Sequence, residues 1–94
     1  MRAERGVVKK IVESTEDEGL VSLMGENVTL FCLNYIYTGK LVGVDAQCAR
    51  LDNAAIVYET GAFGDKKWKD AQKLPNPVYV MLRCVESFTL LGKE

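Results

Sequence analysis

The sequence predicts a mainly β fold, in which about five antiparallel strands form a small, strongly bent barrel behind a short N-terminal helix. Three observations predict it. Short runs rich in apolar residues begin at Val28, most of them are separated by short turn-forming segments, and the whole chain has only 94 residues. A chain of that length buries only about 60–65% of the surface that it exposes when unfolded. A barrel suits such a chain because it hides its strand edges.

The part of the chain before the first strand is predicted to be an N-terminal extension, residues 1–19, followed by a short helix. Residues 6–14 fit either a helix face or a β-branched strand, and the two alternatives stay open. Acidic residues at 16–18 are typical of a helix start, and the apolar run Leu20–Met24 ends at Gly25, which is typical of a helix end.

From Val28 onward the sequence is typical of strands and turns. Residues 28–33 are apolar on both faces of the predicted strand, and Gly39 and Gly43 indicate a bend, a bulge or a close backbone approach. Residues 61–77 contain both prolines and are predicted to be a long variable loop, with one helical turn near residues 68–73. The remaining predicted strands cover residues 40–45, residues 49–51 with 54–60, and residues 78–91, and Asp52-Asn53 is a candidate break in the second of these. This pattern alone does not distinguish an Sm-like barrel from an OB or SH3-like one.

Composition excludes several function classes. Twelve basic and thirteen acidic residues leave a net charge of −1, without the basic surplus of a duplex-DNA binder. The three cysteines, at 32, 48 and 84, are widely spaced and the chain has no histidine, so we expect buried, reduced thiols and no metal or other cofactor. Without a leader or an apolar run of about 20 residues, a cytoplasmic protein with no membrane contact is expected. We also expect no enzyme activity, because no nucleophile lies beside a plausible base.

The order of signals from Leu20 to Ala54 resembles the first sequence motif of the Sm/Lsm-like RNA-binding family. The chain has an apolar helix end and a glycine, then Val28-Thr29-Leu30, then a glycine-led strand that ends at Asp45, six residues after Gly39. Leu82-Arg83-Cys84 resembles the family's second motif, Ile-Arg-Gly, and the long loop 61–77 falls at the family's variable loop. We therefore expect one Sm-like (SH3-like) barrel domain over residues 1–94.

The resemblance implies a homo-oligomeric ring of roughly five to eight subunits that binds single-stranded RNA without catalysis. Asp45, Gln47 and Arg83 would approach the RNA in such a ring. The chain departs from the family at the base-binding turn, where Gln47 replaces a stacking residue and Ala49 replaces an asparagine. The alternative is therefore a structural or adaptor ring without RNA binding, and a weaker one is a monomeric barrel that binds a peptide.

A further candidate surface for RNA is the basic stretch Lys66-Lys67-Trp68-Lys69, where an aromatic residue lies among cations. Single-stranded nucleic acids are bound by surfaces of this composition. The simpler interpretation is a solvated loop that the tryptophan anchors against the barrel. Tyr35 and Tyr37, near the first predicted turn, allow base stacking or packing against a neighbouring subunit.

Overall fold

The computed structural model describes Val8 and residues 11–93, and it confirms a mainly β protein. One antiparallel sheet has the strand order β4-β3-β2-β1-β6, and β5 pairs with β3 beside β4. The long strand β3 makes this possible, because its first half pairs with β5 and its second half with β4. The six strands are β1 Asn27–Cys32, β2 Ile36–Val44, β3 Cys48–Glu59, β4 Asp70–Lys73, β5 Val78–Met81 and β6 Val85–Thr89.

The sheet is not closed into a barrel, so the predicted closure is wrong. Within the described residues, β6 pairs only with β1, and no ladder joins it to β4 or β5. The predicted single strand over residues 78–91 is also wrong, because a 3₁₀ turn at Leu82–Cys84 separates β5 from β6. A link of that length spans at most roughly 14 Å, so the two ends of the bent sheet stay close at this corner.

The predicted short N-terminal helix is a single 3₁₀ turn, Leu20–Leu23, and the described residues before β1 contain no α-helix. The turn lies between Gly19 and Gly25, which have φ angles of +81° and +88°. Glycine adopts this left-handed conformation without the steric cost of a side chain, so the two glycines limit the turn to four residues. Residues 1–7, 9 and 10 of the predicted N-terminal extension lie outside the described residues.

The main core lies on one face of the sheet. Leu30, Leu41 and Leu51 come from the three central strands and are fully buried there. Burial of each such side chain stabilises the fold by about 1.5–3 kcal/mol. Leu20 closes one end of this core and Val80 of β5 adds to it. The first strand was predicted to be largely apolar on both faces over residues 28–33, and residues 28–30 are buried on both faces.

The opposite face of the sheet is covered by the loop before β4 and by the C-terminal tail. Thr29 and Thr38 are buried there side by side. The Thr38 hydroxyl donates to the Val28 carbonyl at 2.9 Å, and the Thr29 hydroxyl donates to the Leu91 carbonyl at 2.6 Å. The tail is thereby fixed across the sheet, and the loop of residues 61–69 packs beside it through an edge-to-face contact of Phe63 with Phe31.

β2 and β3 approach each other closely at Gly39. The register shifts between Thr38 and Lys40, where β3 contains an extra residue and Asn53 has a φ angle of +51°. A Cβ at Gly39 would lie 3.0 Å from the Asp52 carbonyl oxygen and 3.1 Å from the Ala54 Cα. The predicted bend or bulge at Gly39 is confirmed. A Cβ at Gly43 would meet only the Arg50 side chain, at 3.8 Å, so the close approach is not there.

The strand β4 lies inside the segment that was predicted to be a loop with one helical turn, so that turn is wrong. Asp70–Lys73 pair with residues 55–59 of β3, and all four are exposed. No helix in the described part of the chain is long and apolar enough to cross a membrane.

Candidate interaction surfaces

Asp45 holds the turn between β2 and β3. One carboxylate oxygen, Oδ1, accepts the backbone N–H groups of Gln47 at 2.7 Å and Cys48 at 2.8 Å. These two hydrogen bonds hold the pKa of Asp45 below its usual value. Aspartate commonly stabilises a turn in this way. The role that the structure gives Asp45 is therefore to fix the backbone of residues 45–47, and its carboxylate is already occupied.

Gln47 and Arg83 lie on two turns that a tertiary hydrogen bond joins. The Leu82 N–H donates to the Gln47 carbonyl at 2.8 Å, so the turn of residues 45–47 and the turn of residues 82–84 form one surface, which we name the loop pair. Arg83 is exposed and makes no hydrogen bond or ion pair with the described residues. The structure thus brings together Asp45, Gln47 and Arg83, and it leaves the guanidinium available.

The basic stretch Lys66–Lys69 lies elsewhere. It precedes β4 and is near the end of β3 opposite to the loop pair, so the predicted RNA-binding residues do not form one surface. Trp68 is only 9% exposed, and the Lys93 ammonium lies 4.6 Å from its ring centroid. Its indole Nε1 is buried and has no hydrogen-bond partner among the described residues. The tryptophan therefore anchors the loop, and its ring is not free to stack on a base.

A groove of about 600 Å³ runs beside that anchored loop on the outer face of the sheet, and we name it the lysine groove. Lys67 and Lys69 reach it from the loop, and Lys73 from β4. Lys93 reaches it from the tail and donates to the carbonyls of Ala62 at 2.6 Å and Thr60 at 3.3 Å. Sequence reasoning missed Lys73 and Lys93, because only the fold brings β4 and the tail to this loop.

Three strands of the sheet, β4, β5 and β6, have an unpaired edge within the described residues. β6 pairs only with β1 there, and β4 and β5 pair only with β3. A groove of about 590 Å³ runs along β6 and includes Val85 and Phe88. On β5, Tyr79 and Met81 are exposed. Pro75 and Pro77 lie between β4 and β5, and their missing N–H groups interrupt the free edge that these two strands form along one side of β3.

A smaller, mostly apolar pocket of about 260 Å³ lies between β5 and the turn that joins β1 to β2. The rings of Tyr35 and Tyr37 meet edge to face at its wall, with centroids 6.2 Å apart. Cys32 and Cys84 also line it. The thiols of all three cysteines are free and half-buried rather than fully buried as predicted. Partial burial, with Cys84 and Glu86 nearby, raises the pKa of Cys32.

The described residues contain no cluster of three or more histidine, cysteine or acidic side chains that could hold a metal ion. No family model matches the chain, and no curated protein matches it. Among solved structures, the chain is similar to one chain of the crystal structure of the NatC complex bound to CoA, with a TM-score of 0.58 and 22% identity. The match covers 77% of this chain and 83% of that chain, and at this identity it shows the fold alone.

Proposed function

We propose that this chain is a non-catalytic, Sm-like assembly subunit of the cytoplasm, which pairs head to tail with copies of itself to form a closed ring. The observation that carries the proposal is that β5 and β6 each have an edge that is unpaired within the described residues, in a sheet that does not close on itself. The edges have four and five residues, so either can match the other along almost its whole length.

Free strand edges present unpaired N–H and C=O groups, which proteins either protect or use for pairing. The edge of β6 carries little protection, because only Glu86 is charged among its five residues. A new ladder of about four hydrogen bonds would contribute roughly 2–6 kcal/mol, at a net 0.5–1.5 kcal/mol each. Burial of Tyr79, Met81 and Phe88, which are 39–60% exposed in the single chain, adds an apolar contribution.

The edges β5 and β6 have different sequences, so pairing one with the other is heterologous. Such contacts generate rings when the rotation between neighbours closes. The similar solved chain supports assembly in general terms, since it is part of a complex. That likeness does not distinguish pairing with copies of the same chain from pairing with a different protein, and the solution mass of the chain alone separates these two outcomes.

The test replaces one edge tyrosine and compares it with a matched tyrosine inside the sheet. Tyr79 on β5 is 60% exposed, and Tyr58 on the internal strand β3 is 55% exposed. Tyr79→Glu should reduce the mass in solution to that of a single chain, because the carboxylate is costly to bury in the subunit contact. Tyr58→Glu should keep the mass of the wild type. If the two variants have the same mass in solution and both keep the wild-type circular dichroism spectrum, pairing through β5 is contradicted.

A second candidate function, binding of single-stranded RNA at the loop pair, is favoured by one observation. Arg83 is exposed without a partner among the described residues and lies beside the turn that contains Gln47. Arginine can contact phosphate oxygens or stack on a base. Arg83→Ala should weaken binding of a labelled oligoribonucleotide about tenfold in fluorescence anisotropy, with the ring intact. Lys40→Ala, an exposed cation on β2, is the control. If the wild type shows no salt-sensitive binding of the oligoribonucleotide, RNA binding is ruled out and the structural ring is the function that stays proposed.

A further inference from the structure

The lysine groove has a charge opposite to that of the chain as a whole. Its walls contain the ammonium groups of Lys67, Lys69, Lys73 and Lys93, with Asp70 as the one carboxylate among its lining residues. The complete chain has a net charge of −1. Positive charge is therefore concentrated at this groove, on the outer face of the sheet. Like charges that line one groove repel each other, and a bound anion would offset that repulsion.

The four lysines differ in how many contacts their ammonium groups already make within the chain. Lys93 is occupied by the carbonyls of Thr60 and Ala62 and by the faces of Phe63 and Trp68. Lys73 makes one long hydrogen bond, 3.4 Å, to the Asn53 carbonyl. The side chains of Lys67 and Lys69 make no hydrogen bond or ion pair with the described residues, and both are exposed. Two ammonium groups are thus free at the groove, and a third is weakly held.

The groove is built on a fixed base. Its floor includes Thr38 and Gly39 of β2 and Ala55 of β3, all buried in the central sheet. Trp68 forms part of its wall and is anchored as described above. Asn27 and Asn53 add neutral amide groups at the rim. The volume of about 600 Å³ falls inside the range of roughly 300–1,000 Å³ that is usual for small-molecule sites.

We propose that the lysine groove binds a small anion that carries two or more linked phosphate groups, held by Lys67, Lys69 and Lys73. Linked phosphates carry more anionic oxygens than a single phosphate and can contact several of these ammonium groups together. Lysine binds phosphate as a compact point charge with rotatable donors, and such a site needs no fixed geometry from an arginine. The site is independent of the proposed ring, because none of its lysines lies on β5 or β6.

The chain supplies its own reporter for this site. Trp68 is the single tryptophan, and it forms part of the groove wall. Titration with inorganic tripolyphosphate, which does not absorb at the excitation wavelength, should give a saturable change in tryptophan fluorescence. Orthophosphate at equal ionic strength should give a much weaker response. Binding should weaken as salt rises, because the lysines are exposed and screened.

The matched control is in the same loop. Lys66 neighbours Lys67 in sequence but does not line the groove. The double variant Lys67→Gln/Lys69→Gln should bind tripolyphosphate at least tenfold more weakly, and Lys66→Gln should stay within about threefold of the wild type. Both variants should keep the wild-type circular dichroism spectrum and solution mass, which separates this test from the proposed assembly.

Three results overturn the proposal: no saturable response to tripolyphosphate, equal losses in Lys66→Gln and in the double variant, or a titration that follows only ionic strength. A fourth arm uses a single-stranded oligoribonucleotide. If it binds through Lys67 and Lys69 while tripolyphosphate does not, the groove contacts a nucleic-acid backbone and the small-anion proposal is wrong.

Discussion

Replacing Gly39 by alanine tests the packing that bends the two central strands around the core. The added Cβ would lie 3.0 Å from the Asp52 carbonyl oxygen and 3.1 Å from both the Ala54 Cα and the Leu51 Cβ. Ordinary contacts between carbon atoms lie near 3.5–4.0 Å, so β2 and β3 must separate by a few tenths of an ångström. Two of these three atoms belong to the backbone of β3, which cannot turn aside as a flexible side chain can.

We expect Gly39→Ala to lower the free energy of unfolding by about 1–2 kcal/mol. Overpacking of this kind costs about 1–3 kcal/mol, and the lower backbone entropy of alanine in the unfolded chain offsets about 0.4–1 kcal/mol of that cost. Urea unfolding followed by Trp68 fluorescence measures the change, at one fixed protein concentration because assembly alters apparent stability. The melting temperature should fall by about 4–8 °C for each kcal/mol lost.

Gly43→Ala is the control on the same strand, since its Cβ would touch only the Arg50 side chain at 3.8 Å. This variant should be as stable as the wild type or more stable by up to about 1 kcal/mol. If Gly39→Ala unfolds at the same urea concentration as Gly43→Ala, the close approach of the two strands does not exist in solution, and the account of the bulge is wrong.

Three more predictions follow from the site geometry. Trp68→Ala should destabilise the protein by about 3–5 kcal/mol in thermal circular dichroism, whereas Trp68→Phe should cost far less because the buried indole N–H has no partner among the described residues; equal losses would mean that this N–H is bonded. Hydrogen bonds from Gln47 and Cys48 lower the pKa of Asp45 in the folded chain. The stability that Asp45 contributes is therefore present above its usual value of 3.8 and lost as the pH falls through the lower folded value. Asp45→Asn should remove that part of the acid dependence, and an unchanged acid profile contradicts the role. Burial and the Asp45 charge raise the pKa of Cys48, and burial and Cys84 raise that of Cys32. Both thiols should react with iodoacetamide at pH 8 more slowly than free cysteine, and faster alkylation would contradict these surroundings.

The sequence predicted those features of the fold that local pattern controls. The apolar pattern of residues 28–30 on both faces predicted a strand covered on both sides, and Gly39 predicted the irregularity between β2 and β3. The strand β4 was missed because Asp70-Ala71-Gln72-Lys73 has no apolar alternation and all four residues are exposed. It is a strand only because β3 continues far enough to pair with it.

At residues 82–84 the sequence predicted a strand where the structure has a 3₁₀ turn. Their apolar neighbours predicted a continuous strand, but the Leu82 N–H donates to Gln47 and the Cys84 carbonyl accepts the Leu33 N–H. These partners are distant in sequence, so periodicity carries no signal for the turn.

The candidate site residues also fall into some that the sequence predicted and some that it missed. The resemblance of short motifs predicted that Gln47 and Arg83 belong to one surface, and the structure joins their turns. Composition allowed two interpretations of Trp68, an RNA-stacking residue among lysines and an anchor of a solvated loop, and the structure shows the anchor, with the ring buried beside Lys93. The lysine groove requires side chains from the loop, β4 and the tail together, and only the tertiary structure shows that Lys73 and Lys93 line the same groove as Lys67.

The solution mass of the wild-type chain tests the central claim most directly. Light scattering after gel filtration, at several protein concentrations and with absorbance at 260 and 280 nm, gives the mass and any bound nucleic acid in one run. The account predicts one mass that is a multiple of 10.4 kDa, corresponding to about five to eight copies. A mass of 10.4 kDa at every concentration would contradict assembly through β5 and β6.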